Sequence, residues 1–112
     1  MSREDFEEAV LDGVRLRLDE APFIVREVTV TDTTLARDGD ATDLVVLLAI
    51  RSDTGVDQFG WRSRIWPGNG LPAEAASQNL VSSLVERVEA GKAVLDGPER
   101  DGVRWLGTML DG

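Results

Sequence analysis

The chain is 112 residues long, with 42% hydrophobic and 29% charged residues, the proportions of a globular protein with one core and not of a disordered segment. Twenty-one acidic residues against twelve basic ones give a formal net charge of −9, which disfavours DNA, RNA and anionic membrane surfaces, because binding them takes a basic patch that displaces counterions. With no cysteine and no histidine, disulfides, thiolate chemistry, Ser-His-Asp triads and ordinary zinc sites are excluded, and acid–base catalysis falls to carboxylates or to Lys92.

Ser2 precedes Asp5 by three positions, a capping arrangement, and Glu4, Asp5, Glu7 and Glu8 fall in the first turns, where the helix dipole favours carboxylates. A helix therefore begins at Ser2. Phe6, Val10, Val14 and Leu18 recur every four residues with Ala9 beside them, one apolar stripe running to about Asp19. Gly13 costs roughly 1 kcal/mol inside a helix relative to alanine. A competing reading ends the helix near Asp12 and makes Val14, Leu16 and Leu18 a strand alternating with Arg15 and Arg17. The stripe stays in phase from Phe6, which favours the longer helix.

Pro22 closes this segment, and residues 23–31 read as a strand with Ile24, Val28 and Val30 on one side. Asp38, Gly39 and Asp40 are turn formers, so the chain reverses over residues 35–42. In residues 43–51, Leu44, Val46, Leu48 and Ile50 point one way and Val45, Leu47 and Ala49 the other; a strand apolar on both faces is central in its sheet. Gly55 lies in a hairpin loop over residues 52–56. The strand of residues 57–66 then places Phe59, Trp61 and Ile65 on one side and Gly60, Arg62, Arg64 and Trp66 on the other.

Pro67, Gly68, Asn69 and Gly70 break the chain, and Pro72 opens a helix in which Ala73, Ala76, Leu80, Leu84 and Val88 recur at three and four, with Val81 and Val85 beside them and Gly91 as C-cap. Residues 92–112 read as irregular, with turns at Asp96, Gly97, Pro98 and Asp101-Gly102. Trp105, Leu106, Met109 and Leu110 make that tail too apolar for an idle solvated end. No stretch approaches the ~18 apolar residues that cross a bilayer, and the charged start has no apolar signal region, so the expected location is cytoplasmic and away from membranes.

Asp38, Asp40 and Asp43 have oxygen ligands spaced as in some calcium loops, but position twelve of that count is Ala49 and not the bidentate glutamate such a loop needs. A polar turn accounts for them better, and no metal is expected. Gly68 and Gly70 precede a helix without the spacing or the Lys-Ser/Thr of a phosphate loop, so no cofactor is expected. The constellation that stands out is Arg62, Arg64 and Trp66 on one strand face beside Val45 and Leu47, since guanidinium forks and indoles combine flat apolar area with directional donors and recur at interfaces.

The order α-β-β-β-α predicts an α+β domain over residues 1–112, a three-stranded (or four-stranded) antiparallel sheet with both helices on one face. The opposite face is too apolar for solvent and calls for a cover: a second copy first, the Trp105 segment or another protein next. Val45, Leu47, Arg62, Arg64, Trp66 and Trp105 form the candidate interaction face, and no catalytic residue is assigned. The functional expectation is a non-catalytic, homodimeric, adaptor- or chaperone-like module that binds a protein or peptide partner, a basic one suiting its charge, through a sheet face or edge. Small acidic α/β dimers of broadly this layout, secretion chaperones for example, escort other proteins; the likeness lies in size, charge and layout only and rests on no motif in this chain. The alternative is a small-molecule-binding domain or enzyme that holds an anionic ligand on Arg62 or Arg64, with Asp57 or Glu27 moving protons.

Overall fold

The structure, a computed structural model, describes residues 2–20, 23, 27–53, 55–67, 70–89, 99–100 and 102–105. Ile24, Gly68, Asn69, Gly91, Lys92, the turn at 96–98, Leu106, Met109 and Leu110 lie outside them. The elements follow in the order α1 (Arg3–Asp19), β1 (Glu27–Asp38), β2 (Ala41–Ser52), β3 (Gly55–Trp66), α2 (Ala73–Glu89), β4 (Glu99–Arg100) and β5 (Val103–Trp105). The fold is α+β, and its three long strands form an antiparallel meander as the sequence pattern requires.

Helix α1 begins at the Ser2 cap, whose hydroxyl accepts from the Asp5 N–H at 3.2 Å. It runs through Gly13 to Asp19, which settles the choice between helix and strand for residues 14–18. Leu16 is 63% exposed while Val14 and Leu18 are buried, a helical and not an alternating pattern. Gly13 has a packing reason: a Cβ there would lie 2.6 Å from Ser77 Oγ and 2.9 Å from Ser77 Cβ, so the missing side chain lets α1 and α2 cross closely.

Two expectations need correction. Strand β1 does not stop at Thr31 but continues to Asp38, and the reversal shrinks to Gly39 and Asp40, with Gly39 at φ +60 in the left-handed region a tight hairpin turn uses. The polar run Thr31-Asp32-Thr33-Thr34 conceals this because a bulge between Val30 and Asp32 shifts the register. Past it Thr33 and Leu35, paired with Val46 and Leu44, take up the helix-facing positions that Val28 and Val30 hold before it. Secondly, the tail is not irregular throughout. β5 pairs parallel with β3 and antiparallel with β4, so the sheet has five strands in the order β1-β2-β3-β5-β4. After α2 the chain enters the sheet at its far edge as β4, and the reversal from β4 into β5 lays β5 parallel to β3.

The core lies between the sheet and the two helices. Val10, Val14 and Leu18 of α1 and Leu80, Val81, Leu84 and Val88 of α2 pack on Leu44, Val46, Leu48 and Ile50 of β2 and on Phe59, Trp61 and Ile65 of β3. Each fully buried aliphatic or aromatic side chain contributes about 1.5–3 kcal/mol. The Trp61 indole N–H is buried with no hydrogen-bond partner among the described residues. The outer edge of β1 is closed at its middle: the Thr33 N–H donates to Asp32 Oδ1 at 2.9 Å and its carbonyl accepts from Arg15 Nη2 at 2.8 Å. Two of the groups that would recruit another strand are thereby satisfied within the chain.

Candidate functional site on the open sheet face

The residues that do not face the helices are set by register. Across β1, β2 and β3 they form rows: Glu27–Arg51–Val56, Thr29–Ala49–Gln58, Asp32–Leu47–Gly60, Thr34–Val45–Arg62 and Ala36–Asp43–Arg64. Val45, Leu47 and Ala49 make a half-buried apolar strip down the middle. Arg62 and Arg64 stand on the same side, as their alternation predicts.

Between those arginines sits Asp43, whose side chain is 5% exposed. Arg62 Nε donates to Asp43 Oδ2 at 2.6 Å and Arg64 Nε to Oδ1 at 3.1 Å. Burial pushes the Asp43 carboxyl up, but hydrogen bonds and charge from the two guanidiniums outweigh it and hold the group below its ordinary value. Each arginine thus spends its Nε on Asp43, and among the described residues no hydrogen bond takes up its Nη atoms, on a side chain that is 42% exposed in Arg62 and 43% in Arg64.

Trp66 does not belong to this face. A register shift at Thr42/Asp43 pairs Thr42 with Trp66 and Asp43 with Arg64, so Ile65 is the extra residue of a bulge that turns Trp66 toward the helices. Its ring meets Phe6 of α1 with centroids 5.7 Å apart and planes at 58°. Trp105 does reach the open face. β5 sets it beside Gly60, and a Cβ on Gly60 would lie 2.7–3.0 Å from three atoms of the indole. The bare backbone of Gly60 is therefore the floor on which the Trp105 ring rests.

On the helix side of the same sheet end lies a cluster not singled out from the sequence. Glu7 is 1% exposed and its carboxylate accepts from Arg3 Nε at 2.8 Å, from Arg37 Nε and Nη2 at 2.9 and 2.6 Å, and from the Thr42 hydroxyl at 2.7 Å. Burial raises its pKa, and the bonds from Thr42, Arg37 and Arg3 together bring it below the ordinary value. All its acceptor sites serve the fold, tying α1 to β1 and β2. The signal in the sequence was its phase: Glu7 stands three and seven residues before Val10 and Val14, on the buried stripe.

The groups of the alternative reading are not brought together. Glu27 lies six residues along β2 from the Arg62 row, roughly 20 Å at strand rise, and Asp57, paired with Ile50, stands exposed on the other face. The depression lined by Glu27, Thr29, Ala49, Arg51 and Val56 holds about 150 Å³, below the roughly 300 Å³ at which ligand pockets begin. Asp38 and Asp40 sit at the β1–β2 turn while Asp43 is engaged by arginines, and among the described residues no three carboxylates converge. No helix within the described residues is long and apolar enough to cross a membrane. No family model matches the chain, and comparison with curated proteins and with solved structures finds no match.

Proposed function

We propose that this chain is a non-catalytic cytoplasmic interaction module, adaptor- or chaperone-like, that docks a protein or peptide partner on the open face of its sheet. The observation that supports this reading is the asymmetry of the sheet. One face is closed by two helices, whereas the other carries the Val45–Leu47–Ala49 strip with two oriented guanidiniums at its border. Side chains of this kind, apolar in the middle and charged at the rim, have the anatomy of a protein interface. The satisfied Thr33 groups favour the face over the β1 edge as the place of contact.

A photo-crosslinking residue placed at Ala49, with one at Glu86 on α2 as control, tests the reading in cells expressing the full chain. Discrete protein adducts at Ala49, lost on Leu47→Asp and missing from Glu86, are expected. Equal labelling at both positions, or none at Ala49, would remove the face from the function.

A further inference from the structure

We infer that the occupant of the open face is a second copy of this chain, packed face to face about a two-fold axis that runs along β2; this rests on the face being the docking surface. The first ground is how charge is laid out. The β1 side carries Glu27, Asp32 and Asp38 with no cation, the β3 side carries Arg62 and Arg64 with no anion, and the strip between them is uncharged from Val45 to Ala49. A two-fold axis along β2 leaves positions along the strands unchanged and exchanges the two sides. It lays Arg62 of one copy over Thr34 of the other and Arg64 over Ala36, so both guanidiniums fall between Asp32 and Asp38 of the opposing strand. An axis across the strands would instead lay the acidic β1 side on the β1 side of the other copy, whereas the axis along β2 stacks only the β2 charges on their own copies, Arg51 on Arg51 and Asp43, already paired with two arginines, on Asp43. Isologous contact of this kind needs a self-complementary patch, and this face is one.

The second ground is where the negative charge lies. The chain as a whole carries −9, yet on this face of β1, β2 and β3 four carboxylates, Glu27, Asp32, Asp43 and the Asp38 that pairs with Ala41, stand against Arg51, Arg62 and Arg64 and leave only −1. Two copies meeting on this face thus bring together far less than the chain's full negative charge. A strongly basic partner would find more to pair with on the rest of the molecule than here. Preorganisation adds to this: Asp43 already fixes both arginines by Nε, so both guanidiniums are oriented before any partner arrives.

The area sets the strength. Three strands at about 4.8 Å spacing and ten residues at about 3.3 Å rise give roughly 500 Å² per copy, so two copies bury on the order of 1,000 Å², the lower limit of a specific interface. An interface of this size is expected to be reversible, so the mass should depend on concentration.

Purified full-length chain, studied alone, tests this. Sedimentation and light scattering across a concentration series should show a monomer of 12.2 kDa passing to a species of twice that mass. Because the chain has no cysteine, Leu47→Cys gives a single thiol near the axis. A bismaleimide spanning about 10 Å, the spacing of packed sheets, should join it to its own copy and leave Glu86→Cys unjoined. Asp32→Lys with Asp38→Lys, both exposed positions, should weaken the dimer tenfold or more by facing lysines with arginines. A monomer up to millimolar concentration would overturn the inference, as would a dimer that Leu47→Cys cannot link. A dimer indifferent to the two lysines would overturn the axis. Ala49 adducts in cells from a chain that stays monomeric when purified would retain the docking face and discard the second copy as its occupant.

Discussion

The hydroxyl of Thr42 donates to the carboxylate of Glu7 at 2.7 Å while accepting from Arg3 at 2.8 Å. Thr42 is fully buried, and this contact carries a charge into a place where α1, β1 and β2 meet. Its next neighbour, Asp43, points to the opposite face and holds Arg62 and Arg64 there. One end of the sheet is thus fastened by arginine–carboxylate clusters on both sides, through two consecutive residues of β2.

Removing the charge of the inner cluster should cost stability. Glu7→Gln keeps the shape and an acceptor but removes the carboxylate that Arg3 and Arg37 share, leaving Arg37 the weaker field of Glu4. Both arginines reach solvent, with side chains 31% and 58% exposed, so water relieves part of the loss. The expected destabilisation is about 2 kcal/mol, a fall in Tm on the order of 8 °C for a domain of this size. Thermal unfolding by circular dichroism reads it, and a change under about 0.5 kcal/mol would mean that the cluster does not fasten the fold.

Acid should unfold the protein through the same groups. Glu7 and Asp43 both have folded pKa values below the ordinary 4.5 and 3.8. The unfolded chain therefore binds protons first, and the stabilisation, complete above those ordinary values, is lost as pH falls through the depressed folded ones. Urea midpoints measured from pH 7 to pH 2 should drop below about pH 4.5. In Glu7→Gln/Asp43→Asn the drop should be shallower than in the parent, with repulsion among the remaining carboxylates common to both.

Gly60 should tolerate a methyl group only when Trp105 is gone. Alanine is ordinarily better than glycine inside a strand by about 0.5–1 kcal/mol, but here its Cβ would meet the indole at 2.7 Å. Gly60→Ala is expected to destabilise by about 1–3 kcal/mol and, in a Trp105→Ala background, to become neutral or stabilising. The double-mutant cycle by denaturant unfolding measures this coupling; additive effects would place the Trp105 ring elsewhere.

The same logic applies where the helices cross. Gly13→Ala gains helix propensity yet drives a Cβ into Ser77. The sign of its effect should be destabilising in the parent and reversed in Ser77→Gly, with thermal unfolding of the four variants as the measurement. A stabilising Gly13→Ala in the parent would show that α1 and α2 do not approach at this point.

Much of the fold was legible because it follows from local period and punctuation. The four-residue stripe of α1, the two-faced apolar run of β2 and the Pro72-led helix each specify an element and the side it buries, and Arg62 and Arg64 alternate onto the open face without interruption. The two bulges were not legible. A bulge is one extra residue that leaves composition unchanged and shifts parity, so Trp66 was expected beside the arginines and β1 was expected to end where its pattern changes phase.

What the sequence determined by itself is the order of elements, their amphipathic faces and the exclusion of histidine and thiol chemistry, all properties of residues near one another along the chain. Tertiary structure alone decided that Glu7 is a buried anchor, that Asp43 orients two arginines, and that Trp105 lies on Gly60. The Glu7–Thr42, Asp43–Arg62 and Gly60–Trp105 pairings join residues 35, 19 and 45 positions apart, and which distant partners meet is fixed by sheet register and by the path of the chain through α2.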